Sequence, residues 1–218
     1  MGHSQVSDAE ISLLRKLDSA KNSTSIARHF APLYFDVTSR AAEFYLHDKE
    51  SAKKFIQRFE TNFAGYFFRS VEAFKSGIEI PEVWKAYFSD TSLSPLQYQL
   101  LGINAHINGD IWQALTTEFS LQEIQANKKS YFDFQKGLVK EYRDFYERSV
   151  RLSSTTTLLD KVTLGLDKLY GKTMLIRWRK RQMQMAILYF TDHARFENKL
   201  YKLHKKMDHI NRLILHNL

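Results

Sequence analysis

The chain has 218 residues, no cysteine, three prolines and a formal charge of +8 at neutral pH. Without cysteine there is no disulfide framework, no thiolate metal site and no cysteine nucleophile. No apolar run reaches the roughly 18 residues that a bilayer span requires, and the polar start from Met1 to Glu10 lacks the apolar core of a secretory leader. The simplest expectation is a cytoplasmic protein without a membrane span.

Ser7 followed by Glu10 is a capping box, and Ile11, Leu14 and Leu17 continue at helical spacing, so a first helix should run to about Ser19. The polar stretch Lys21 to Ser25 leads into Ile26 to Leu46, where Pro32 belongs near a helix start or a kink because it has no N–H to give an inner turn. Asp48 is positioned to cap the next helix, on which Phe55, Phe59, Phe63 and Phe67 recur every fourth residue and form an aromatic core face. Gly77 ends it, and Pro81 opens a short helix carrying Val83, Trp84, Tyr87 and Phe88.

Ser94 and Pro95 are the N-cap and first residue of a central helix that continues toward Phe119. Ser120 with Glu123 caps the next, along which Tyr131, Phe134, Leu138, Tyr142 and Phe145 alternate steps of three and four. Ser153 to Thr157 is a polar break, Thr157 with Asp160 restarts a helix through Leu169, and Gly171 marks a turn. The last segments carry Met174, Trp178, Met185 and Leu188, then Phe196, Leu200, Leu203, Met207, Ile210 and Ile214. That final series is the inward face of a terminal helix or the seam of a coiled-coil homo-oligomer. With no strand alternation, repeat or Pro/Gly/Ser linker, the expectation is one all-α domain, residues 1–218, a compact bundle of about eight helices around a buried central one.

The central helix is apolar on most of its circumference: Leu96, Leu100, Ile103, Ile107, Ile111 and Ala114 share one face, and Leu101, Trp112 and Leu115 lie elsewhere. Its polar residues therefore stand out, since a buried polar group costs free energy unless it is paired. At about 100° per residue, Gln99, His106, Asp110 and Gln113 form one strip, and Asn104 and Asn108 a second about 160° away. Gly102, Ala105 and Gly109 run beside the first strip, where small residues would admit a neighbouring backbone.

His106 and Asp110, one turn apart, have the spacing of two metal ligands on one helix, and also that of a carboxylate orienting an imidazole. They fit a structural pair, a divalent metal site or metal-free acid–base work. A catalytic metal needs a third protein ligand, for which Asp36, Glu60, Asp192 and His193 are available. The two asparagines suit clamps on neighbouring helix ends or ligand contacts. Asp192-His193-Ala194-Arg195 is either catalytic or the polar junction opening the last helix, and Arg181 could reach a buried carboxylate. Phosphate-loop, dinucleotide, nucleophile-elbow and HExxH signatures are all absent.

The positive charge gathers late, in Lys172, Arg177, Arg179, Lys180 and Arg181, then Lys199, Lys202, Lys205, Lys206 and Arg212. It reads as a solvated basic face or as a surface for an acidic partner. Nucleic acid is disfavoured as that partner because no glycine-rich or aromatic recognition module accompanies the charge.

The run Leu100-Leu101-Gly102-Ile103-Asn104-Ala105-His106-Ile107-Asn108-Gly109-Asp110 resembles the LLGMNAHINxDL signature of a bacterial family known as domain of unknown function 5995. Leu33-Tyr34 with Val37-Thr38, the Phe63-Ala64 and Tyr66-Phe67 pairs, and Pro81 followed by Trp84 extend the likeness over residues 29–150. Ile103 stands for the signature's Met and Ile111 for its last Leu, both conservative in volume. Where the family shows an arginine followed by an Ala-Trp pair, this chain has Arg181 and then Met185-Ala186. The resemblance implies a helical domain with no established activity and points to Asn104, His106, Asn108 and Asp110 as site residues. Two functions are thus expected. One is a bacterial protein whose buried His106/Asp110 site takes a divalent metal or a small ligand, with a hydrolase among the activities it would suit, by analogy with helical metal-dependent phosphohydrolases. The alternative is a non-enzymatic interaction protein that uses its basic C-terminal helix.

Overall fold

Helix ends are set where the sequence supplies caps. Ser7 Oγ accepts from Glu10 N at 3.3 Å while the Glu10 carboxylate accepts from Ser7 N at 2.8 Å, closing the start of α1 (Asp8–Lys21). A 3₁₀ turn (Ile26–His29) leads to α2 (Ala31–Ala41), whose second residue is Pro32, where no intrahelical donor is needed. The long α3 (Glu50–Ser76) is entered from Lys49, not from Asp48 as expected: the chain is still turning at Asp48, whose N–H donates to Tyr45 O at 3.0 Å. Gly77 closes α3 with φ of 64°, a left-handed conformation that only glycine adopts without strain.

The computed structural model describes residues 7–45, 48–152 and 172–217. After a 3₁₀ turn at Glu82–Trp84 come α4 (Pro95–Ala105), a π-helical turn (His106–Asp110), α5 (Ile111–Glu118), α6 (Leu121–Leu152), α7 (Lys172–Thr191) and α8 (His193–Asn217). Because α4, the π turn and α5 are continuous, the described residues form seven helical rods and no strand, against the eight or so helices expected. The polar break at Ser153–Thr157, the helix over Thr157–Leu169 and the turn at Gly171 lie outside the described residues. No helix among those described is long and apolar enough to cross a membrane.

The continuous rod is the axis of the bundle. α3 and α7 flank α5, α8 lies along α4, and the π turn touches both α3 and α7. Leu100, Leu101, Ile107, Ile111, Ala114 and Leu115 are essentially fully buried, as the pattern predicts for a central helix. The four-three series on α8 is spent inside the chain: Phe196, Leu203 and Met207 pack with Met185, Val83 and Trp112, while Ile210 and Ile214 enter the main core. Its apolar face is therefore not available as a coiled-coil seam.

Candidate functional site

The sequence motif sits on the irregular part of the rod. In an α-helix Trp112 N–H would donate to Asn108 O, four residues back. Here the side-chain amide of Gln182, fully buried on α7, stands between them: its Oε1 accepts from Trp112 N at 3.0 Å and its Nε2 donates to Asn108 O. A side chain inserted into the ladder is a physical cause of a π turn, and this one spans His106 to Asp110.

That turn carries the His–Asp pair into the core. His106 is 0% exposed and Asp110 1%, and His106 Nδ1 lies 3.0 Å from Asp110 Oδ2. Trp84 Nε1–H donates to the same carboxyl oxygen at 2.9 Å. The imidazole is boxed by aromatic rings: Phe63 stacks on it at 3.6 Å between centroids, and Tyr34 meets it edge-on at 4.7 Å. Phe30 and Trp84 each stand 6.0 Å away. Gly102 makes room for one ring of this box, and Gly109 makes room for Val83, the residue before Trp84. A Cβ on Gly102 would lie 2.5 Å from the Phe30 ring, and one on Gly109 would lie 2.8 Å from Val83. The expectation of a close backbone crossing is thereby corrected, because what these glycines admit is side chains.

Burial sets the protonation of the pair. Removal from water holds the His106 imidazole well below its ordinary range, with the Arg179 guanidinium acting in the same direction. Burial also lifts the Asp110 carboxyl well above its ordinary range, against the opposing pull of the Trp84 hydrogen bond and Arg69. Both effects favour the uncharged forms. In that state Asp110 Oδ2–H donates to His106 Nδ1, which leaves an N–H at Nε2 and a carbonyl oxygen at Oδ1. Both atoms are buried, and neither finds a hydrogen-bond partner among the described residues.

The second polar strip turns the other way, as the helical rotation predicts. Asn104 Nδ2 donates to Met207 O at 3.2 Å and to Asn211 Oδ1 at 2.8 Å, and Asn108 Nδ2 donates to Asn104 Oδ1 at 3.2 Å. Asn104 thus clamps α8, with Asn108 bonded to it from one turn on, and neither amide bonds to His106.

A further polar group lies across the core, composed of Glu60 on α3, Tyr131 and Gln135 on α6, and Arg179 on α7. Arg179 is 1% exposed and donates through Nη1 to Gln135 Oε1. Its charge acts on Glu60, Tyr131 and His106 alike. Burial pushes the Glu60 carboxyl up to about 8 despite that guanidinium, and Glu60 Oε1 is buried without a hydrogen-bond partner among the described residues. Arg179 thus fills the place expected of Arg181, which is half-buried and lines a surface groove instead. Two residues apart on one helix is about 200° of rotation, enough to exchange core for surface.

The other expected ligands do not join the pair. Asp192 and His193 sit at the junction of α7 and α8, where Asp192 Oδ1 accepts from Arg195 N at 3.0 Å as an N-cap and the His193 side chain is exposed. Among the described residues no group of three or more His, Asp or Glu could hold a metal ion. The surface cavities between α7 and α8, beside α3, and on α1 are not lined by His106 or Asp110.

In comparison with known proteins, the family model described as "Family of unknown function (DUF5995)" aligns with residues 7–217. No curated protein and no solved structure matches the chain.

Proposed function

Because the chain belongs to the DUF5995 family, a family of unknown function, its activity has to be sought in its own chemistry, and we propose that His106 and Asp110 form a small-ligand site in the helix core. One observation carries this reading: Nε2 of His106 and Oδ1 of Asp110 are both buried and both without a partner among the described residues. Each orphaned group costs about 1–3 kcal/mol. A donor and an acceptor left open on one hydrogen-bonded pair suit a small polar molecule that accepts at one atom and donates at another, such as a carboxylic acid, an amide or an alcohol. Entry requires the Phe63 or Tyr34 ring to swing aside, because these cover the imidazole.

The donor set favours an organic ligand over a divalent ion. A carboxyl whose surroundings favour its protonated form is a poor metal ligand, and one nitrogen with one oxygen falls short of the three protein groups of a catalytic zinc site. If the ligand is a hydrolysable ester or amide, Nε2 is the atom placed to exchange a proton with water or leaving group, and Asp110 holds the ring through Nδ1.

The test is ¹⁵N NMR of the histidine side chains in the intact protein during titration with a library of small acids, amides and alcohols, alongside metal analysis of the purified protein. The expected result is a displaced His106 Nε2 resonance with at least one compound, absent in Asp110→Asn, and no stoichiometric metal. A His106 signal that no compound moves overturns the reading. So does one equivalent of divalent metal that is lost on His106→Ala.

A further inference from the structure

α7 and α8 form an antiparallel hairpin whose outer side is a groove of about 490 Å³. From α7 it is lined by Arg177, Lys180, Arg181 and Gln184, and from α8 by Lys199, Lys202, Leu203 and Lys206. On each helix these positions step by three, one and three, so each set presents a single face. The two faces meet along one groove, so that cations of α7 lie opposite cations of α8. Six of the eight lining residues are cationic and none is acidic. The whole of α7, Lys172–Thr191, contains no Asp or Glu.

Among the described residues no ion pair engages any of these six cations, although elsewhere lysines are paired with nearby acids, as Lys129 is with Asp133 at 2.6 Å. Like charges facing one another across two helices repel, and a fold that keeps them so leaves a place for a compensating anion. The crowding is visible in Lys206, whose ammonium is held below its ordinary range by burial and then by Arg181 and Arg177.

We propose that this groove binds a small, multiply phosphorylated molecule. Its volume is that of a small-molecule site, within the roughly 300–1,000 Å³ usual for such pockets. Arg177 and Arg181, one turn apart, offer planar forks matched to phosphate oxygens, and the lysines supply flexible point charges around them. No aromatic side chain among the described residues lines the groove, so it offers nothing for nucleobases to stack on, and its concave shape suits a compact ligand better than a flat bilayer. The site is separate from the His106–Asp110 pair, and its existence does not depend on what that pair binds.

The experiment is calorimetric titration of the full chain with inorganic tripolyphosphate at fixed moderate ionic strength, repeated on Arg181→Gln/Lys202→Gln, on Lys199→Gln/Lys206→Gln, and on Lys75→Gln as a control that does not line the groove. The expected result is saturable one-to-one binding that weakens at least tenfold in both double variants and is unchanged in the control. The ligand-free double variants should melt at the same temperature as wild type or higher, since neutralisation relieves repulsion. Two double variants that share no residue keep the test open if one of them does not fold. Absence of binding, equal affinity in a folded double variant, or uptake of duplex DNA or anionic vesicles in place of tripolyphosphate overturns the proposal.

Discussion

Replacing Glu60 with Gln preserves side-chain length and shape while removing a proton that the core holds out of its normal range. Glu60 is 5% exposed, and its carboxyl is raised from 4.5 to about 8, first by burial. Where the folded chain keeps this proton and the unfolded chain has released it, the native state binds more protons, so stability falls as pH rises. The loss begins near 4.5 and levels off near 8. A tenfold change in proton affinity is worth about 1.4 kcal/mol, so the full effect approaches 5 kcal/mol, of which about 3 kcal/mol develops between roughly pH 5 and pH 8. Urea unfolding of wild type and Glu60→Gln at both ends of that interval measures it directly. The two proteins should be close in stability at the acidic end, with the variant ahead by about 3 kcal/mol at the alkaline end. Asp110, also raised, has the same sign as Glu60, whereas the lowered His106 removes stability as pH falls below 6.5; both act in wild type and variant alike and largely cancel in the comparison. Parallel curves across the interval would refute the reasoning, because they would mean that Glu60 ionises in the folded core at no cost.

Gly102→Ala should destabilise by about 1–3 kcal/mol in chemical denaturation, because the new methyl group meets the buried Phe30 ring; wild-type stability would show that the ring can retreat. Trp84→Phe removes the indole donor to Asp110 Oδ2 and should cost about 2 kcal/mol by the same assay, with no measurable loss counting against the bond. Gln182→Leu deprives Trp112 N–H and Asn108 O of their bridge and should cost about 2 kcal/mol or more while speeding hydrogen exchange at the Trp112 amide. Unchanged stability with a protected Trp112 amide would show that the inserted side chain is not what holds the π turn.

What was legible in the chain is what one dimension encodes. Ser7 with Glu10, Ser94 with Pro95, and Ser120 with Glu123 are local devices, and each caps the helix it predicts. The pairing of His106 with Asp110 and of Asn104 with Asn108 follows from four-residue spacing and needs no tertiary knowledge. The π turn was not legible, because its cause is an amide from α7, distant in sequence; the Asn108-Gly109 pair, poor in helix propensity, is the only local hint. Nor could Arg179 be preferred to Arg181 in a basic run of mixed pattern. Phe63 looks like every other member of its aromatic stripe, and only the packing makes it the ring that covers the imidazole.

Gln182 ties two distant places together. Its neighbour Arg181 belongs to the outer groove, whereas Gln182 itself is spliced into the backbone of the central rod. α7 is consequently a connecting bar, lined with positive charge on one side and keyed into the axis of the bundle on the other. Sliding or rolling this bar by even part of a turn would pull the key, let the rod rewind, and change the heading of the His106 ring.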